Sequence, residues 1–141
     1  MMNVLVIDGQ GGGLGKLIVE NIKKTFNDAE ITAAGTNAMA TAAMLKAGAD
    51  AGATGENAIC YNAGRANIIA GPLGICLPNA MHGEISPAMA NAICRSEAVK
   101  ILIPISKCNV SIAGAGEKPL GQYMADMIDE ALKDGDERAG E

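Results

Sequence analysis

The clearest pattern along the chain is an unbroken apolar run, Val4, Leu5, Val6 and Ile7, followed at once by Asp8 and a cluster of glycines. A run without polar alternation predicts a parallel strand covered on both faces. Beyond the glycines, Leu14, Leu17, Ile18, Ile22 and Phe26 recur at helical spacing with Lys16, Glu20, Lys23 and Lys24 between them. That spacing predicts an amphipathic helix lying on the strand. Asn27 and Asp28 break the helix, and residues 31–34 predict a second strand ending at Gly35. Thr36 or Asn37 caps a helix that carries Met39, Ala40, Ala43, Met44 and Ala47 and stops at Gly48.

The alternation continues to the end of the chain. Residues 49–54 predict a strand of small side chains, and Thr54 is placed to cap a helix running towards Ala63 and Gly64. Residues 68–70 predict a buried strand, and residues 71–85, full of Gly, Pro and Asn, form the longest connection. Ser86-Pro87 starts a helix over 88–96, residues 99–104 and 110–113 predict further strands, and Leu120, Met124, Met127, Ile128 and Leu132 mark a final amphipathic helix. Residues 134–141 read as a polar, frayed tail behind a single domain at 1–133. Strands and helices in this order predict an α/β fold, a three-layer Rossmann-like sandwich with a mainly parallel sheet and right-handed crossovers.

Composition narrows the function classes. A chain of 141 residues suits one domain. Hydrophobic residues make up 49% and charged residues 19%, below the roughly 25% typical of soluble proteins, so part of the surface is expected to be covered in a homo-oligomer. A formal net charge of -5 with no basic cluster excludes nucleic acid and anionic membrane as partners. The start of the chain lacks the basic and apolar segments of a signal peptide, and no later run is long enough to span a bilayer, so the cytoplasm is the expected location. Cys60, Cys76, Cys94 and Cys108 are widely spaced with no Cys-x-x-Cys pair; they read as ordinary buried thiols, and no metal site is predicted.

The segment from Asp8 to Lys16 lies between a strand and a helix, where free backbone N–H groups and the helix dipole favour an anion. Gly9, Gly11, Gly12, Gly13 and Gly15, with Gln10, let a ligand approach the backbone closely, and Lys16 is placed to neutralise a phosphate. The dinucleotide pattern G-x-G-x-x-G fails at Leu14, and a Walker A loop fails at Gln10 and Leu17. Gly9, Gly13 and Gly15 with Asn62-Ala63-Gly64 resemble short-chain dehydrogenases, but the Tyr-x-x-x-Lys of that family is absent: Arg65 follows Tyr61 at the fourth place, and Met127 follows Tyr123. Gly35-Thr36-Asn37 also lacks the acid that grips an NAD ribose.

Several segments together carry a broader likeness: Ile7-Asp8-Gly9-Gln10-Gly11-Gly12-Gly13, Gly35-Thr36-Asn37, Gly55-Glu56-Asn57-Ala58, Gly71-Pro72-Leu73-Gly74, Gly83-Glu84-Ile85 and Met89-Ala90. On these the chain resembles an uncharacterised family of small bacterial Rossmann-like proteins, a domain of unknown function. The resemblance implies a bacterial cytosolic protein with that fold and transfers no catalytic residues.

Ligands of open parallel sheets sit beyond the carboxyl ends of the strands, where the turns bring Asp8, Thr36, Asn37 and Gly71. These residues, with the glycine turn, are the expected binding set for a nucleotide or phosphorylated metabolite, and no cofactor is specified. Asn79, His82 and Glu84 lie in the long connection, where the single histidine approaches a carboxylate in sequence. His82 and Glu84 are the candidate proton-transfer pair of an alternative reading, a lyase or transferase. A third is a non-catalytic structural or regulatory homo-oligomer. The plainer roles are helix capping for Thr36 and Asn37, solvation for Lys16, and stabilisation of the following helix by Glu84.

Overall fold

The apolar run after Met2 forms the centre of a five-stranded parallel sheet in the computed structural model, which describes residues 2–105 and 109–139. Strand β1 (Asn3–Asp8) pairs on one side with β2 (Glu30–Gly35) and on the other with β4 (Ile68–Pro72). Strand β3 (Ala51–Thr54) lies outside β2, and β5 (Val99–Ile103) lies outside β4, giving the order β3-β2-β1-β4-β5. The chain therefore reverses direction across the sheet between β1 and β4, the point at which open α/β folds leave a crevice.

Helices α1 (Gly13–Thr25), α2 (Ala38–Lys46) and α5 (Leu120–Ala139) pack on one face around Val4, Val6, Ile18, Ile22, Met44 and Met127. Helices α3 (Glu56–Ala63) and α4 (Pro87–Arg95) cover the other, around Leu5, Ile7, Ile59, Ile69, Ile75 and Ile93. Val6, Ile7 and Ile69 are wholly buried, and each such side chain stabilises the fold by about 1.5–3 kcal/mol relative to exposure. The predicted three-layer α/β sandwich is the observed fold.

Three local readings change. Residues 110–113 form no strand: Ser111, Ile112 and Ala113 are exposed, and a turn closes when the Ala115 N–H donates to the Ile112 carbonyl at 3.1 Å. A short apolar stretch beside Gly114 and Gly116 has no covered face to pair into. Helix α5 runs to Ala139, past the point where a polar tail is predicted, and Asp134 is buried. Thr54 does not cap α3, whose N-cap is Gly55; its hydroxyl instead pairs with that of Thr41 at 2.8 Å.

Candidate functional site

Asp8 ends β1, and its side chain turns back across the glycine turn. Oδ1 accepts the Gly9 N–H at 2.8 Å and Oδ2 accepts the Gly15 N–H at 2.7 Å. The positive end of α1 is thus met by a carboxylate of the chain itself. Asp8 is buried, and burial pushes its pKa above the usual 3.8 against the pull of those N–H groups, with Glu84 adding repulsion.

A second carboxylate reaches the turn from the loop after β4. One oxygen of Glu84, Oε1, accepts the Thr36 hydroxyl at 2.5 Å, the Asn37 side-chain amide at 2.8 Å and the Gln10 N–H at 3.0 Å. The Thr36 hydroxyl first, then the Gln10 N–H, hold the Glu84 pKa below its usual 4.5 despite some desolvation. Asn37 also donates to the Gln10 carbonyl at 3.0 Å and caps α2 by accepting the Ala40 N–H at 2.9 Å. Of the two caps the sequence allows, Asn37 is the one used, and Ser86 caps α4.

The glycines divide by what surrounds them. Gly12 sits at φ 74°, and a Cβ there would lie 2.8 Å from the Ala40 Cα. At Gly9 a Cβ would meet the Met81 sulfur at 2.7 Å. At Gly11 and Gly13 it would meet nothing within 4 Å, and neither main-chain N–H has a partner among the described residues. Both border a cavity of about 240 Å³ walled by residues 8–14 with Pro72, Gly74, Met81 and Ile105. A neighbouring hollow of about 520 Å³ shares Gln10 and Met81 with it and takes in Leu77, Pro78, Asn79, Ala80, His82, Asn109 and Val110.

The structure therefore gathers Asp8, the turn, Thr36, Asn37 and Glu84 at one edge of the sheet. Lys16 is exposed on α1 and is not part of the cavity wall. Gly71 is buried inside β4, packed on the Ile7 carbonyl, while Pro72 and Gly74 behind it face the cavity. His82 is exposed at φ 56°, and no hydrogen bond joins it to Glu84. Pro72, Gly74, Met81 and Ile105 are the wall residues that sequence reasoning missed; the strand-order reversal was the signal that pointed to them.

The cysteines depart from the sequence reading. Cys94 is exposed and Cys60 and Cys76 are half-buried, with the Cys94 thiol 4.0 Å from the Cys76 carbonyl. Burial and the neighbouring Cys94 push the Cys76 thiol up to about 12. Cys108 lies outside the described residues. Among the described residues no group of three or more His, Cys, Asp or Glu is placed to hold a metal, and no helix is long and apolar enough to cross a membrane.

Residues 3–135 match the sequence profile of a family described as domain of unknown function DUF3842. The chain belongs to the DUF3842 family. No curated protein matches the sequence. Solved structures similar to this DUF3842 chain include the following two. One is apo saccharopine dehydrogenase (L-Glu forming) from Saccharomyces cerevisiae, 20% identical with a TM-score of 0.46, over 76% of this chain and 23% of that one. The DUF3842 chain thus spans about a quarter of that dehydrogenase. The other is a dodecameric FMN-dependent UbiX-like decarboxylase from Escherichia coli O157:H7, 13% identical with a TM-score of 0.47, over 92% of this chain and 93% of that one.

Proposed function

We propose that this DUF3842 protein binds a nucleotide or other phosphorylated metabolite in the crevice between the turn after β1 and the end of β4. The observation that carries the reading is the pair of bare glycines. Gly11 and Gly13 need no glycine for packing or for positive φ, yet they border the cavity with main-chain N–H groups that no group among the described residues takes. A glycine without an internal reason leaves the backbone open to something outside the chain. Leu14, Pro72, Met81 and Ile105 add an apolar wall, which suits a ligand with one anionic end and a planar or apolar body. Asp8 holds the Gly9 and Gly15 N–H groups and Glu84 holds that of Gln10, so while both carboxylates are in place the anion meets the Gly11 and Gly13 donors.

The test is thermal melting with a panel of adenine, guanine and flavin nucleotides and sugar phosphates. A ligand at 100 times its Kd stabilises by about 2.7 kcal/mol and raises the midpoint accordingly. Gly13→Val should remove that shift while leaving the unliganded midpoint in place. If no phosphorylated compound at millimolar concentration moves the wild-type midpoint, the reading fails.

We place the protein in the cytoplasm as a homo-oligomer. Met39 and Leu45 on α2, 70% and 42% exposed beside the β3 edge, support self-association. Light scattering on wild type and Met39→Glu checks this: a monomeric wild type removes it.

A further inference from the structure

We propose that the Gln10 N–H, the Thr36 hydroxyl and the Asn37 amide form the seat for the phosphate group of the ligand, and that Glu84 is a resident stand-in which the ligand displaces. The inference rests on the crevice reading above and adds to it where the negative charge goes and what must move.

Three donors from the turns after β1 and β2 converge on a single oxygen, Oε1 of Glu84, at 2.5, 2.8 and 3.0 Å. A backbone N–H, a hydroxyl and an amide make an acceptor site without a fixed cation, and a phosphate oxygen satisfies it by the same chemistry as a carboxylate oxygen. Glu84 is a distant guest there, 74 residues from Gln10 and 48 from Thr36. The loop that delivers it runs through positive φ at Asn79, Met81, His82 and Gly83, at 68°, 59°, 56° and 89°. For Met81 in particular this region is uncommon.

The loop can yield at its tip without unravelling. Ile85 and Ala80 are buried and joined by the Ile85 N–H donating to the Ala80 carbonyl at 3.2 Å, which anchors both ends of the segment between them. Met81, His82 and Gly83 project from that base, and the Met81 sulfur lies over Gly9. Gln10 and Met81 border both the 240 Å³ and the 520 Å³ hollows. A phosphate that takes the seat expels Glu84, lifts Met81 and joins the two hollows into one crevice. Glu84 as a plain staple, or as an acceptor for ligand hydroxyls, makes the opposite demand, because both roles need it in place.

The experiment is an amide-resolved NMR titration of the full chain with inorganic phosphate, for wild type, Glu84→Ala and Glu84→Gln. In Glu84→Ala the Gln10 backbone amide and the Asn37 side-chain amide should shift saturably, with an apparent Kd about tenfold or more below that of wild type, the factor expected for losing a competing charge-assisted bond. Glu84→Gln, which removes the charge but keeps an acceptor oxygen for the same donors, should gain less. Equal gains in the two variants mean that only charge matters and overturn the proposal, as does a Glu84→Ala protein in which neither amide moves. The Gly11 and Gly13 amides report the crevice separately. Shifts there with Gln10 and Asn37 still leave the crevice reading standing and remove the stand-in; silence at all four removes both.

Discussion

Three adjacent glycines in the turn after β1 should respond to alanine in opposite ways, and the difference measures whether the turn is built for the chain or for a guest. Gly12 sits at φ 74°, where an L-residue costs about 1–2 kcal/mol. Its Cβ would also stand 2.8 Å from the Ala40 Cα and 2.9 Å from the Ala40 carbonyl oxygen. Those are backbone atoms of α2, which yield only if the helix moves, and forced overpacking of this kind costs about 1–3 kcal/mol. Gly12→Ala is therefore expected to lose about 2–5 kcal/mol, the sum of the two effects. Gly13 opens α1 at ordinary φ, and a Cβ meets nothing within 4 Å. Alanine there narrows the unfolded ensemble and is expected to gain about 0.4–1 kcal/mol. Gly11→Ala, equally open, should stay within about 0.5 kcal/mol of wild type. Urea denaturation of the three variants, with the slope checked for constancy, reads these differences directly. If Gly13→Ala falls as far as Gly12→Ala, the space above Gly13 is not open and the case for a bare ligand-facing backbone is lost. If Gly12→Ala is as stable as wild type, the packing of the turn on α2 is not as described.

Thr41 is buried, and its hydroxyl accepts the Gly35 N–H at 3.1 Å and pairs with Thr54 at 2.8 Å. Thr41→Val, which leaves the Gly35 N–H without that acceptor, should cost about 1–3 kcal/mol in urea denaturation; an unchanged midpoint would contradict the bonding. The two site carboxylates should bend the stability curve in opposite directions with pH. Glu84 is lowered in the folded state, so its contribution is full above about 4.5 and lost as pH falls through its folded value; the advantage of wild type over Glu84→Gln should shrink below pH 4.5. Asp8 is raised, so ionisation opposes folding at higher pH, and that penalty is relieved as pH falls through its folded value towards 3.8. Melting midpoints between pH 3 and 7 check both signs. With its thiol pushed up to about 12, Cys76 should react with a thiol reagent at pH 7.5 far more slowly than exposed Cys94; equal rates at the two sites in the wild-type chain, read by peptide mass mapping, would contradict that environment.

The sequence and the structure agree where the physics is local. An unbroken apolar run reads as a two-sided parallel strand because burial on both faces leaves no place for polar alternation, and residues 4–7 and 68–70 obey it. Residues 110–113 show the limit of that rule, since a short apolar stretch carries no sign of whether a partner strand stands beside it. The glycine turn was readable as a place for negative charge, and so was its position at the carboxyl edge of the sheet. What occupies it was not readable. Glu84 meets Thr36 and Gln10 across separations of 48 and 74 residues, and only the strand order brings those turns together.

Asp8 is different, because its message was local and was passed over. An acid at the last position of a strand, with amides one and seven residues ahead of it, can fold back and neutralise the start of the following helix, as the Gly9 and Gly15 bonds do. The same electrostatics that make a helix N-terminus attract a phosphate make it attract this carboxylate, and the carboxylate is always present at its side. A glycine-rich turn after such an acid should therefore be read by subtraction. The donors that the chain satisfies for itself drop out, and those that remain set where a guest's charge can sit. Among the described residues Gly11 and Gly13 remain outright, and the Gln10, Thr36 and Asn37 donors remain only if Glu84 gives way. On the proposed reading, the ligand binds around a resident negative charge. That demand favours a ligand whose apolar body contributes much of the affinity on Leu14, Pro72 and Ile105, with its phosphate adding position more than strength.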